Sequence, residues 1–275
     1  MRISNRLEKL YHKDFKLIHT DLGLSNDIYI IELADDDKDV LRIPKKDIDE
    51  HVHRDLEREI QLALVDSGLD FEEVSYFKDE HIRITKFVED IKTFKQCENP
   101  LKYHLVVDNI KKFHSLNLQT DVDFKLEEKY QSFLNDIKKP LIDYSQFEYI
   151  IQRFTEISKI KTLSHNDLVD GNLLFTKDHS YLIDYEYAGN NHPFFDLMSF
   201  LSENRIFDED IRLDIYNYYF DNKLNDKIMK ELRIIEDAQN VLWAAWANML
   251  YNSRGNKIYK DIFEDKIEAI ERKHI

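Results

Sequence analysis

One stretch constrains this chain more than any other: Ser164-His165-Asn166-Asp167-Leu168-Val169-Asp170-Gly171-Asn172, followed by Leu182-Ile183-Asp184-Tyr185-Glu186. It breaks a run of helical patterning with two short apolar segments, Leu173-Leu174-Phe175 and Tyr181-Leu182-Ile183-Asp184, joined by the turn Lys177-Asp178-His179-Ser180. The fold must therefore hold a polar loop and a short hairpin inside a helical body. The loop also carries chemistry. Phosphoryl transfer from a nucleoside triphosphate needs a carboxylate to receive the proton of the acceptor hydroxyl, and oxygen ligands for the magnesium ions that neutralise the phosphates. His165-x-Asp167-x4-Asn172 sets a base and one metal ligand on one loop, and Asp184 arrives as a second ligand from the neighbouring strand.

The patterning on either side divides the chain. Phe15–His19 and Ile28–Leu33 are β-branched, apolar runs around Gly23-Leu24-Ser25-Asn26-Asp27, the signature of a hairpin. Val40-Leu41-Arg42-Ile43-Pro44 is a third strand. His51 to Leu64 has helical periodicity and Gly68 closes that helix, with strands at Val74–Phe77 and His81–Val88 after it. Leu101 to Leu116 reads as one amphipathic helix, residues 125–160 hold at least two more, and the chain from Phe195 onward is helical. The expectation is an α+β, two-lobed fold: residues 1–90 a β-rich nucleotide-binding lobe, residues 91–275 a larger, mainly helical lobe for catalysis and acceptor binding.

Composition narrows the partners. A formal charge of −15 disfavours gripping nucleic acid or anionic lipid. Cys97 is the sole cysteine, so neither an intrachain disulfide nor a cysteine metal cluster can form, and the eleven histidines show no HExxH spacing. No apolar run is long enough to span a bilayer and no apolar N-terminal segment is evident, so a cytoplasmic protein without membrane insertion is expected. No Walker A sequence occurs, which excludes a P-loop enzyme at the level of sequence.

With the loop spacing, the flanking segments carry a more specific likeness. His-Asn-Asp-x-x-x-Gly-Asn followed by Ile-Asp-Tyr-Glu-Tyr resembles the choline and ethanolamine kinase branch of the aminoglycoside-phosphotransferase-like superfamily, with the protein-kinase-like fold. The likeness extends to Gly23-Leu24-Ser25-Asn26, Val40–Pro44, Arg54-Asp55-Leu56-Glu57, Ile84–Val88, Phe195-Asp196-Leu197 and Trp243-Ala244-Ala245-Trp246. It implies ATP and magnesium as cofactors and a small cationic amino-alcohol as acceptor, choline before ethanolamine or an aminoglycoside. It further implies that Asp167 is the base, that Asn172 and Asp184 hold magnesium, and that His165 braces the catalytic loop. A kinase-like binding module without catalysis is the reading from a different class, and intact Asp167, Asn172 and Asp184 argue against it.

For Arg42, a solvated strand residue and a phosphate clamp are both open on the residues alone, and the resemblance favours the clamp. Glu57 is the preferred ion-pair partner from the helix, with Glu59 as its rival. Asp170 reads as a turn residue, and Asp196 as structural, a helix cap or a support of the catalytic loop. Ser25 and Asn26, with the backbone amides of their turn, are candidates to cap the phosphates, although an ordinary hairpin turn explains one glycine equally well. A quaternary ammonium has no N–H to donate and is held by aromatic faces and carboxylates. Trp243 and Trp246, three apart on a helix, either pack as core or form two walls of such a box; the resemblance implies the box. Glu186, Tyr187 and Glu203 are further candidates for walls or counter-charge, and Tyr251 and Tyr259 are weaker ones.

Overall fold

The computed structural model describes residues 3–20, 26–45, 53–116, 118 and 120–272. The chain divides into two compact units, Met1–Ile91 and Lys92–Ile275.

The first unit is built on a five-stranded antiparallel sheet of β1 (Phe15–His19), β2 (Asn26–Leu33), β3 (Lys38–Pro44), β4 (Glu73–Phe77) and β5 (Ile82–Lys86), in the order β1-β2-β3-β5-β4. Its strands alternate as a half-buried sheet must. In β3, Asp39 and Leu41 are buried while Val40 and Arg42 lie on the other face. Leu41, Ile31, Leu33, Ile82 and Ile84 form a core that is closed by Leu7 of helix α1 (Ile3–Tyr11). That helix is absent from the sequence expectation, which gave this unit one helix. Helix α2 (Arg54–Ser67) is the expected one. Leu56, Ile60 and Leu64 are buried at four-residue spacing, and Gly68 ends the helix at φ 74°, a conformation that suits a residue without a side chain.

The second unit is mainly helical. Its helices are α3 (Lys102–His114), α4 (Leu126–Asp136), α5 (Glu148–Ile157), α6 (Phe194–Glu203), α7 (Glu209–Tyr219), α8 (Asp226–Arg254) and α9 (Lys257–Glu271). The 29-residue α8 is the spine, capped by the Asn225 side chain at its start and by Gly255 at φ 69° at its end. Two small sheets interrupt the helices. One orders β6 (Lys92–Thr93), β8 (Leu173–Phe175) and β9 (Ser180–Leu182); the other pairs β7 (Thr162–Ser164) with β10 (Gly189–Asn191). The polar loop 165–172 is thus strung between β7 and β8, and Asp184 follows two residues after β9. No described helix is long and apolar enough to cross a membrane.

Candidate active site

Loop 165–172 is held by buried side chains reaching its backbone. Asp196, in the first turn of α6 and 1% exposed, accepts the His165 N–H (2.8 Å) and the Asn166 N–H (2.7 Å), and a third bond from His114 Nε2 (2.9 Å). Burial alone raises its proton affinity. The hydrogen bond and charge of His114, with the loop bonds, outweigh that and hold the carboxyl below the usual carboxylate range. Ser199, one turn further along α6, accepts the Leu168 N–H, and Asn204 donates to the Leu168 carbonyl. Asn166 sits at φ 69°, in the left-handed region, and its amide donates to the carbonyls of Ser164, Tyr187 and Gly189 while its oxygen accepts from Asn191. Asp170 opens a single 3₁₀ turn, Asp170–Asn172, and accepts the Lys95 N–H at 2.7 Å.

His165 is fully buried, and both of its ring nitrogens meet backbone. Nε2 lies 2.9 Å from the Ile183 carbonyl and must therefore donate, which leaves Nδ1 to accept the Asp167 N–H at 3.3 Å. Burial lowers its proton affinity, in keeping with this neutral tautomer. The ring also packs edge-on to Tyr185, which in turn stacks on Phe113 of α3.

Asp167 and Asn172 meet directly: the Asn172 amide nitrogen donates to the Asp167 carbonyl (2.9 Å) and to Asp167 Oδ2 (3.1 Å). With its nitrogen so used, Asn172 has Oδ1 left to face a cation. Asp184 stands at φ 69°, and its charge is felt at Asp167, His165 and Tyr187. Burial first, then the charges of Glu203 and Asp184, push the Asp167 carboxyl up to about 8; Lys266 and the Asn172 hydrogen bond act the other way without cancelling this. A carboxylate poised near neutral pH suits a general base. Asn172, Asp167 and Asp184 supply only hard oxygen donors, which fits magnesium. That ion takes one or two carboxylates and fills its shell with water and phosphate oxygens rather than needing a protein cage. Among the described residues no group of three or more His, Cys, Asp or Glu is gathered in such a cage.

An aromatic chain runs beside this cluster. Tyr187 packs edge-on to Trp243 (5.3 Å between ring centres), Trp243 to Trp246 (6.1 Å), and Trp246 to Tyr259 (5.8 Å). Trp243 is buried and Trp246 is partly open. Among the described residues the buried Trp243 Nε1 and Tyr187 hydroxyl meet no partner in hydrogen-bond geometry, although the Trp246 indole lies beside that hydroxyl. Lys129 of α4 places its ammonium 5.7 Å from the Tyr187 ring centre, and burial lowers its proton affinity to about 8. Glu186 is buried and its charge acts on Tyr187. Tyr251 is half-buried one helical turn past the tryptophans. Glu203, at the end of α6, meets Lys266 of α9 at 2.5 Å, and both line an open cavity of about 150 Å³ with Ser202, Asn240, Arg205 and Phe207.

In the first unit, Arg42 of β3 forms an ion pair with Glu57 of α2. Glu57 is 3% exposed and is also bonded by Arg54 (3.0 Å) and Gln61 (3.2 Å). Burial opposes its charge, but Arg42 and Arg54 more than offset that and hold the carboxyl below its ordinary value. Glu59 is exposed on the opposite side of the helix. Asn26 is buried at the start of β2, where its Oδ1 meets no hydrogen-bond partner among the described residues, and Ser25 lies outside them.

Sequence reasoning missed Lys266, which lies 63 positions from Glu203 in a segment without a motif. It also missed Asn166, Asn191 and Ser199 as supports. Asn166 stands inside the motif, and its side-chain bonds depend on the β7–β10 pairing, which three-residue strands do not announce.

Comparison with known proteins shows the family and the fold. The family description "choline/ethanolamine kinase" matches residues 17–225. Protein LicA of Haemophilus influenzae is 26% identical over 244 residues, covering 82% of this chain and 71% of that protein. The crystal structure of choline kinase LicA from Streptococcus pneumoniae has a TM-score of 0.80 at 17% identity, covering 98% of this chain and 97% of the other. Spectinomycin phosphotransferase in complex with ADP and spectinomycin has a TM-score of 0.63 at 16% identity, covering 97% and 95%. The fold is the two-lobed protein-kinase-like one, and the chain is a phosphotransferase with an alcohol group as acceptor. Within that class it belongs to the choline/ethanolamine kinase family.

Proposed function

We propose that this protein transfers the γ-phosphoryl group of ATP to the hydroxyl of choline, giving phosphocholine. The observation that carries the reading is the Asp167–Asn172 pair beside Asp184, a carboxylate and two oxygen ligands in one locus. Asp167 takes the proton of the acceptor hydroxyl as the oxygen attacks phosphorus. Asn172 and Asp184 hold magnesium, which supplies neutralisation of the phosphate charge. His165 acts on Asp167 as a positioning residue, through the backbone N–H that its Nδ1 accepts. Arg42, fixed by Glu57, grips the phosphates that are not transferred; Arg offers a planar fork for them. Asn26, buried at the first residue of β2, borders the turn proposed to cover the nucleotide. Tyr187, Trp243, Trp246, Glu186 and Glu203 form the acceptor pocket, in which aromatic faces meet the cation.

The LicA choline kinase of Streptococcus pneumoniae, a fold neighbour across nearly the whole chain, supports choline as the acceptor. The ADP complex of spectinomycin phosphotransferase supports a nucleotide donor. The test is Asp167→Ala. Loss of a general base costs about 10²–10⁴ in kcat, with circular dichroism and nucleotide affinity unchanged. Retention of near-full kcat would remove Asp167 from the role of base.

A further inference from the structure

One carboxylate proposed for the acceptor pocket, Glu203, already has a cation of its own. Lys266, 7% exposed on α9, donates to Glu203 Oε1, and the two side chains line the same cavity. Both charges reach Asp167, Glu203 raising and Lys266 lowering its hold on a proton, so the pair stands within electrostatic range of the proposed reaction centre. One of the two carboxylates proposed to attract a positively charged acceptor is therefore already neutralised from within the chain.

Two kinds of ammonium respond differently to such a pair. A primary ammonium gains most from a short N–H···O contact, at roughly 2.8 Å. To make it with Glu203, it must bring its charge close to Lys266, where like charges repel in a partly desolvated pocket. A quaternary ammonium has no N–H to place. Its charge is shielded by methyl groups, it stands off from the carboxylate, and aromatic faces hold it. Tyr187, which like the Glu203–Lys266 pair is within electrostatic range of Asp167, packs with Trp243 and Trp246 to offer such faces.

We propose that Lys266 is a specificity-determining residue: by holding Glu203 in an ion pair, it favours a quaternary over a primary ammonium on the acceptor. This rests on the reading of the protein as an amino-alcohol kinase. Lys266 belongs to no motif of the catalytic loop and makes no bond to it.

The experiment compares kcat/KM for choline and for ethanolamine in the wild type, Lys266→Met, Lys266→Arg, Glu203→Gln and the double variant Lys266→Met with Glu203→Gln. Lys266→Met frees the carboxylate, and the choline-to-ethanolamine ratio falls about tenfold through a lower KM for ethanolamine. Lys266→Arg keeps the wild-type ratio, and the double variant returns towards it, which a merely structural lysine would not produce. Glu203→Gln leaves Lys266 unopposed and raises KM for both acceptors, so the proposal stays testable even if Lys266→Met fails to fold. A ratio that holds in Lys266→Met while the wild type turns over choline overturns this proposal alone, and so does a Glu203→Gln enzyme with unchanged KM values. A wild type that phosphorylates neither alcohol overturns the underlying reading and this proposal with it.

Discussion

Under the proposed assignment, the proton that leaves the acceptor hydroxyl goes to Asp167, and the surroundings of that side chain tune its readiness to accept it. The same surroundings make ionised Asp167 a cost to the fold. Its carboxyl titrates at about 8 in the native protein, against about 3.9 in an unfolded chain. The native state therefore binds the extra proton between those values, and stability declines as pH rises from about 4 to about 8, with no further change from this group above that window. Asp167→Asn removes the charge and keeps the shape. Without divalent cations, the variant is more stable than the wild type at pH 8–9 by roughly 2 kcal/mol, a few degrees in Tm. The gap narrows steadily as pH is lowered towards 4. Thermal unfolding across that range checks this, and a variant less stable than wild type at pH 9 would contradict it. The meeting of Asp167 with Asn172 was legible from spacing alone, because Asp-x4-Asn on one loop is a local pattern. The environment of Asp167 was not, because Glu203 and Lys266 come to it from α6 and α9.

Helix α6 is the element that sets the loop in place. Its Asp196 and Ser199 take three backbone N–H groups from residues 165–168, which have no strand or helix of their own to satisfy them. Asp196→Ala leaves two buried N–H groups and His114 without their acceptor. Each unsatisfied group costs about 1–3 kcal/mol, so the variant loses roughly 3 kcal/mol, a drop of about 6–12 °C in Tm. Calorimetry against Ser199→Ala, which loses one acceptor, measures it; equal Tm values for the two variants would contradict this role. The longer elements were legible because apolar spacing announces them: α2 with Leu56, Ile60 and Leu64, α3, and the β1–β2 hairpin. The short strands β8 and β9 were legible through the turn that joins them, whereas β6, β7 and β10 were not, since they exist only through partners far along the chain. Helix α1 was overlooked for a different reason. Ile3, Leu7, Leu10 and Tyr11 fall on one face, but the helix is nine residues long, shorter than the window over which helical spacing is read.

At the scale of the whole molecule, the sequence already showed strands giving way to helices near residue 90, and the chain divides into a sheet-based and a helical compact unit. The residues proposed for the chemistry divide in the same way: the Arg42–Glu57 pair lies in the first unit, the loop and the aromatic chain in the second. The acceptor was the least legible feature in the sequence. Trp243 and Trp246 read equally well as core, and the structure buries one and leaves the other partly open. The most direct measurement of the central claim is phosphoryl transfer itself: purified protein with ATP and magnesium, offered choline, ethanolamine and an aminoglycoside in parallel, with ADP release followed and the product identified by phosphorus NMR. The predicted result is phosphocholine, with kcat/KM for choline about tenfold or more above that of the other acceptors. No phosphorylation of choline at saturating concentration, from a protein that binds ATP, would contradict it.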